Sequence, residues 1–278
     1  AATQSPPQDA TNQLINLYNQ GQLGAVVEQA QAITVQYPEA FIIWNILGAA
    51  KKGLGQIQAA SEAFKKVTEL NPTFADGFSN LGTNLQDQGK LDEAIASYEK
   101  ALSLKPDFAE AYNNMGSALQ QQGKLEDAIE AYKKALSFKP DYSDAYNNMG
   151  NALKDQGKLE DAIEVYKKAL SFKPDHAEAY NNMGTALKDQ GKLDEALYAY
   201  SQAITLRSNY HAPYLNMGNT FMQLKRFEDA EIAYNKVLSL NPWNAEAHYA
   251  LGLTLEVMNK QVKALAAFKA AIGNDENF

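Results

Sequence analysis

Proline recurs at Pro38, Pro72, Pro106, Pro140, Pro174 and Pro242, each a multiple of 34 residues from the last, with Ser208 in the one gap. Glycine keeps the same register at Gly48, Gly82, Gly116, Gly150, Gly184, Gly218 and Gly252, and alanine at Ala60, Ala94, Ala128, Ala162, Ala196, Ala230 and Ala264. A period of this length excludes one shared globular core, because each repeat is a small unit that buries its apolar face on its neighbours. The marks divide the chain into seven full units, 41–74, 75–108, 109–142, 143–176, 177–210, 211–244 and 245–278. A degenerate helical hairpin at 7–40 precedes them, and residues 1–6 are expected to be a disordered or vector-derived terminus.

Within 109–142, apolar residues recur twice at helical spacing: Tyr112, Met115 and Leu119, then Leu125, Ala128, Ile129, Tyr132, Ala135 and Leu136. Each unit therefore reads as a hairpin of two helices. Gly123 stands where a helix ends in a left-handed residue, and Lys139-Pro140 stops the second helix. Asp107 with Glu110, and Asp175 with Glu178, have capping-box spacing and are expected to start first helices. The small Gly and Ala slots face one aromatic slot, occupied by Phe64, Tyr98, Tyr132, Tyr166, Tyr200, Tyr234 and Phe268. A leucine at Gly150 or Ala162 should overpack the hairpin by about 1–3 kcal/mol or more.

Composition narrows the functional classes. The chain has 278 residues, a formal charge of −8 and no cysteine, which excludes a thiolate nucleophile and any cysteine-ligated zinc. The acidic balance argues against a nucleic-acid partner, since phosphate backbones are held by clustered Lys and Arg. The longest apolar stretch, Phe41 to Ala50, contains Asn45 and stops at Lys51-Lys52, short of the roughly 20 residues that span a bilayer. A soluble, cytoplasmic chain without membrane insertion is expected, and the N-terminal residues have no signal-peptide pattern.

The 34-residue unit resembles the tetratricopeptide repeat (TPR) family. The resemblance rests on a first-helix aromatic (Trp44, Phe78, Tyr112, Tyr146, Tyr180, Tyr214), Leu or Met followed by Gly, and the later Ala, Tyr or Phe, and Pro. It implies an all-α fold, a right-handed superhelical solenoid of helix-turn-helix units, with first helices lining a concave groove. It also implies protein or peptide binding without a catalytic site or cofactor. Departures concentrate at the ends: Leu14 takes the Gly slot and Ala30 the aromatic slot of the first hairpin, and Asn259 and Gln261 stand in the last turn.

First-helix positions beside the core carry amides. The sixth position holds Asn80, Asn114, Asn148, Asn182 and Asn216; the fifth holds Asn113, Asn147 and Asn181. Asn151 and Asn219 stand at the ninth position, Lys154 and Lys188 at the twelfth. Asn is a poor helix former, worth roughly 0.5 kcal/mol less than Ala, so a merely solvated face would sooner carry Glu, Lys or Gln. An amide both donates and accepts, which matches the main chain of an extended peptide. On this reading, replacing Asn114, Asn148 and Asn182 by Ala weakens peptide binding and leaves melting unchanged. The row is similar to the Asn-lined TPR region of O-linked N-acetylglucosamine transferase and to bacterial TPR proteins, which implies binding of peptide main chain by Asn80, Asn114, Asn148, Asn182 and Asn216. A lysine-based carboxylate clamp is disfavoured, because Lys154 and Lys188 adjoin Asp155 and Asp189.

Towards the C-terminus Leu215, Met222, Tyr249, Leu253 and Val257 turn this face apolar, as an anchor for a ligand side chain or as a seat for a further helix. The end at Phe278 suggests a longer parent protein or a second copy covering this face. Among the three histidines, His248 fills the aromatic slot, while His176 and His211 fall near turns and are expected to be solvated rather than to bind metal. The function expected is a scaffold holding an extended peptide in an Asn-lined groove. The alternatives are the substrate-docking region of a larger enzyme, such as a protein glycosyltransferase, and a self-assembly module stacking into a homo-oligomer through its terminal units.

Overall fold

The computed structural model describes residues 5–274, and every regular element among them is an α-helix. The helices are α1 (Gln8–Asn19), α2 (Leu23–Gln36), α3 (Phe41–Gly53), α4 (Ile57–Leu70), α5 (Ala75–Asp87), α6 (Leu91–Leu104), α7 (Ala109–Gln121) and α8 (Leu125–Phe138). They continue as α9 (Ser143–Asp155), α10 (Leu159–Phe172), α11 (Ala177–Asp189), α12 (Leu193–Leu206), α13 (His211–Gln223), α14 (Phe227–Leu240), α15 (Ala245–Val257) and α16 (Gln261–Asn274). The expectations for residues 1–4 and for the final residues 275–278 lie outside the described part of the chain. Two compact units result, one ending at Pro140 and one beginning at Asp141. Within each, every odd-numbered helix packs on its even-numbered successor, and that second helix packs on the first helix of the next hairpin. This is an all-α repeat solenoid. No helix among the described residues is long and apolar enough to cross a membrane.

The first helix of each hairpin ends as its turn chemistry dictates. Gly123 has φ 77°, its N–H donates to the Gln120 carbonyl at 2.9 Å, and Lys124 N–H reaches back to Leu119 at 3.0 Å. That pair of bonds satisfies carbonyls a helix end would otherwise leave open. Lys225 and Asn259 make the same turn at φ 58° and 57° without glycine, which carries a steric cost that Asn tolerates better than Lys.

Inside the hairpin, the repeated glycine exists for a ring. A Cβ built on Gly116 would lie 2.7 Å from Tyr132 Cε1, and one on Gly150 would lie 2.5 Å from Tyr166 Cε1. The first hairpin solves the same problem in reverse: Leu14 and Ala30 are both fully buried, so the large side chain has moved to the first helix and the small one to the second. Filling the same space from either side preserves packing density.

The expected capping boxes are not formed. Phe108 and His176 hold the N-cap positions of α7 and α11 with no side-chain cap, so Asp107 and Asp175 stand one residue too early. Glu110 and Glu178 instead reach Lys139 at 3.1 Å and Arg207 at 2.9 Å. Among the described helices with a recorded cap, only α15 uses its side chain: Asn244 Oδ1 accepts from Ala247 N–H at 2.7 Å.

Candidate functional site

The fifth and sixth positions of the first helices form amide clasps between neighbouring hairpins. In the N-terminal unit, Asn80 Nδ2 donates to Asn45 Oδ1 at 2.9 Å. In the C-terminal unit, Asn182 Nδ2 donates to Asn147 Oδ1 at 3.0 Å and Asn216 Nδ2 to Asn181 Oδ1 at 2.9 Å. Within single hairpins, Asn113 Nδ2 approaches Asn114 Oδ1, and Asn181 Nδ2 approaches Asn182 Oδ1, both at 3.4 Å.

These bonds separate two kinds of asparagine that look alike in the sequence. Asn113, Asn147 and Asn181 are only 7–8% exposed, which corrects the reading that places them on the open surface. Asn80, Asn114, Asn148, Asn182 and Asn216 are half-buried. The clasp also revises the expectation about melting. Removing Asn182 leaves the buried Asn147 carbonyl without this donor, at a cost of about 1–3 kcal/mol.

The ninth position is tied to the buried aromatic slot. Tyr166 Oη donates to Asn151 Oδ1 and Tyr234 Oη to Asn219 Oδ1, both at 2.7 Å. In the N-terminal unit Tyr98 and Tyr132 donate to Gln86 and Gln120 at 3.0 and 3.2 Å. Burial pushes the Tyr98 phenol up to about 12, and burial with the nearby Asp155 raises that of Tyr166, so both remain proton donors. Asn151 and Asn219 thus each accept one hydrogen bond from the phenol of their own hairpin's second helix. Lys154 and Lys188 lie against Asp155 at 3.0 Å and Asp189 at 3.6 Å, so each ammonium is offset by its sequence neighbour.

The five apolar residues divide. Leu215 and Met222 pack against the cluster around Phe221, Tyr234, Leu251 and Leu255. Tyr249, Leu253 and Val257 follow one another at helical spacing on α15 and are exposed, with the Tyr249 ring 5.8 Å from that of Phe268.

His176 corrects a further expectation, being 5% exposed rather than solvated. It fills the N-cap slot occupied by Phe108 and Tyr142 in earlier units. Ser143 Oγ donates to the Ala169 carbonyl at 3.0 Å and lies 3.0 Å from His176 Nδ1. The order Ser, His, carboxylate superficially matches a hydrolytic triad, with Glu178 at 3.4 Å and Asp144 at 3.6 Å from Nε2. Both groups are buried, however, and the Ser143 hydroxyl is tied to a main-chain carbonyl, so it is not presented to a substrate as a nucleophile must be. His248 occupies the aromatic slot, with Nε2 2.9 Å from the Pro242 carbonyl, where Trp44 Nε1 donates to the Pro38 carbonyl at 2.8 Å. His211 is exposed. No cluster of three or more acidic or His side chains among the described residues is arranged to hold a metal.

Sequence reasoning missed Asn45, visible only as a break in an apolar run, although the 34-residue register places it at the fifth position. It also missed a buried node in which Ser61 Oγ donates to Asn84 Oδ1 at 2.6 Å and Gln88 Nε2 donates to Ser61 Oγ at 2.6 Å.

A profile described as TPR repeat matches residues 85–123, 116–157, 150–191, 184–225 and 218–259, and one described as tetratricopeptide repeat matches 42–74. No curated protein matches the chain significantly. Among solved structures, the APC/C hetero-tetramer Cut9-Hcn1 is similar in fold, with a TM-score of 0.73 over 87% of this chain at 20% identity. The present chain covers 48% of that one, about half its length. MamA is 32% identical, with a TM-score of 0.52 over 58% of this chain and 95% of its own. YrrB, described as a TPR protein with an unusual peptide-binding site, is 26% identical, with a TM-score of 0.53 over 68% of this chain and 98% of its own.

Proposed function

Because the chain belongs to the tetratricopeptide repeat family, a family of protein-interaction scaffolds, we propose that its first-helix face holds an extended peptide by the main chain. The observation that carries this reading is the sixth-position amide row. Asn182 spends one N–H on Asn147 and receives a long contact from Asn181, so one N–H and one carbonyl lone pair remain on a half-buried side chain. The clasp holds the amide in one orientation, so the remaining donor and acceptor are positioned before a ligand arrives, which lowers the entropic cost of binding. First helices of adjacent hairpins, packed about 10 Å apart, would meet an extended chain at roughly every third residue. Such a face reads backbone more than side chain. Tyr249, Leu253 and Val257 would add an apolar anchor, and the peptide-binding site named for YrrB supports the same class of ligand.

The test separates ligand contact from clasp. Asn147→Ala removes the clasp acceptor and spares the ligand-facing amide, whereas Asn182→Ala removes both. In fluorescence titrations against an immobilised peptide library, affinity should fall markedly further in Asn182→Ala and Asn216→Ala than in Asn147→Ala. Equal losses in all three would reduce the row to a packing device.

A further inference from the structure

A second binding surface lies on the side formed by the second helices. Between α12 and α14, over a floor of α13, is a cavity of about 500 Å³ lined by Ile204, Tyr214, Met217, Phe221, Ile232 and Lys236. That volume falls within the roughly 300–1,000 Å³ of ordinary ligand sites. The two flanking helices depart from the pattern of α8 and α10. Ile232 in the cavity wall and Tyr198 in the same slot of α12, one turn before the lining residue Ser201, are 67% and 66% exposed where α8 and α10 carry Glu130 and Glu164. Ser201 and Gln202 stand where α10 carries Lys167 and Lys168, so α12 has no charge from residue 196 to 206. The same slot is Glu in α2, α4, α8 and α10 and the small Ala in α6 and α16, and exposing two large apolar groups here brings no packing gain within the chain.

We propose that this groove docks an amphipathic helix of a partner protein, with an acidic first turn seated at Lys236. Every wall is helical, so its backbone N–H and C=O groups are already paired and provide no edge to which a strand could add. A helix arrives with its own backbone satisfied and needs only side chains to fill the space. The wall from Asp229 through Ile232 to Lys236 spans seven helical steps of α14, about 10 Å, which matches anchors at i, i+3 or i+4, and i+7. At one end Asp229 is paired with Arg226 at 2.7 Å. At the other, Lys236 Nζ lies 5.9 Å from the Tyr214 ring centroid, and its charge is available to a carboxylate. Acidic residues favour the first turn of a helix, so the partner runs antiparallel to α14 with its N-terminus at Lys236.

The probes are two stapled helical peptides with the same Leu/Ala stripe, one with Glu and one with Lys in the first turn, read by fluorescence anisotropy. The Glu peptide should bind the parent chain, and the double variant Tyr198→Glu, Ile232→Glu should weaken it by at least about tenfold. These substitutions restore the residue type of the equivalent slots, so the thermal melt should be unchanged. Lys236→Glu should transfer preference to the Lys peptide. The proposal is overturned if neither peptide binds, if the double variant binds as the parent does, or if the charge preference survives Lys236→Glu. Uptake of anilinonaphthalene sulfonate by a chain that binds neither peptide would mark a small-molecule site and overturn it equally.

Discussion

Gly150→Ala puts helix propensity and packing in direct opposition. Propensity alone predicts stabilisation by about 0.8–1 kcal/mol, since Gly150 lies within α9. The structure predicts the reverse. The new Cβ would stand 2.5, 2.8 and 2.9 Å from Tyr166 Cε1, Cδ1 and Cζ, closer than carbon atoms approach. The ring has no free space to retreat into, because Tyr166 is fully buried and its hydroxyl is held by Asn151 at 2.7 Å. Overpacking of this kind costs about 1–3 kcal/mol, and a ring that withdraws forfeits a hydrogen bond worth about 1 kcal/mol. After the propensity gain, the variant should be less stable by about 1–3 kcal/mol, which corresponds to about 2–4 °C of melting temperature per kcal/mol for a chain of this size. Urea unfolding followed by far-UV circular dichroism gives the midpoint and slope together. A midpoint equal to or above the parent's, with an unchanged slope, would refute the packing argument. The reversed pair supplies a control. Gly150→Leu with Tyr166→Ala imitates Leu14 and Ala30, and should cost less than the two single changes added together.

Lys225→Gly should raise stability by up to about 1 kcal/mol, because it removes a side chain from φ 58° in a turn where other hairpins use glycine; a calorimetric melt checks it. Arg207→Ala should weaken the fold at neutral pH but not in acid. The Arg207 guanidinium, opposed by partial burial, holds Glu178 below its ordinary value of 4.5, so the pair's contribution is complete above about pH 4.5 and disappears as pH falls through the lowered value. Both groups are about half exposed, so the effect should stay below about 1 kcal/mol, and parent and variant stabilities should converge in denaturant titrations near pH 3. Ser61→Ala should cost about 0.5–1.5 kcal/mol by removing one hydrogen bond to the fully buried Asn84, whose Oδ1 keeps the Gln88 amide at 3.0 Å. The double change Ser61→Ile, Asn84→Ala installs the pair found 34 residues on, Ile95 and Ala118, and should recover most of that loss in the same unfolding assay.

The elements of the fold were legible because their causes are local. A left-handed Gly123, Lys139-Pro140 and two apolar stripes each act over a few residues, and the helices lie where those signals place them. The capping boxes failed for a reason just as local: the turn after each proline occupies one more residue than the spacing of Asp107 and Glu110 allows, so the cap position falls on Phe108. The glycine slots were legible as a need for smallness, and Leu14 with Ala30 shows that the need belongs to the pair of positions rather than to either one.

Sequence by itself determined the period, the hairpin, the family and the residue types on each face, because all of these follow from which side chains recur and at what interval. It could not separate Asn181 from Asn182, two adjacent asparagines with the same propensity and the same chemistry. Only stacking decided that one is buried and receives the amide of Asn216 at 2.9 Å, while the other gives its own to Asn147 and keeps surface to offer. Stacking likewise buried His176, closed Asn84 against Ser61 and opened a cavity beside Ile232. Each of these depends on the distance between residues about 20 to 35 apart in the chain, which the packing of one hairpin on the next sets and no local propensity encodes.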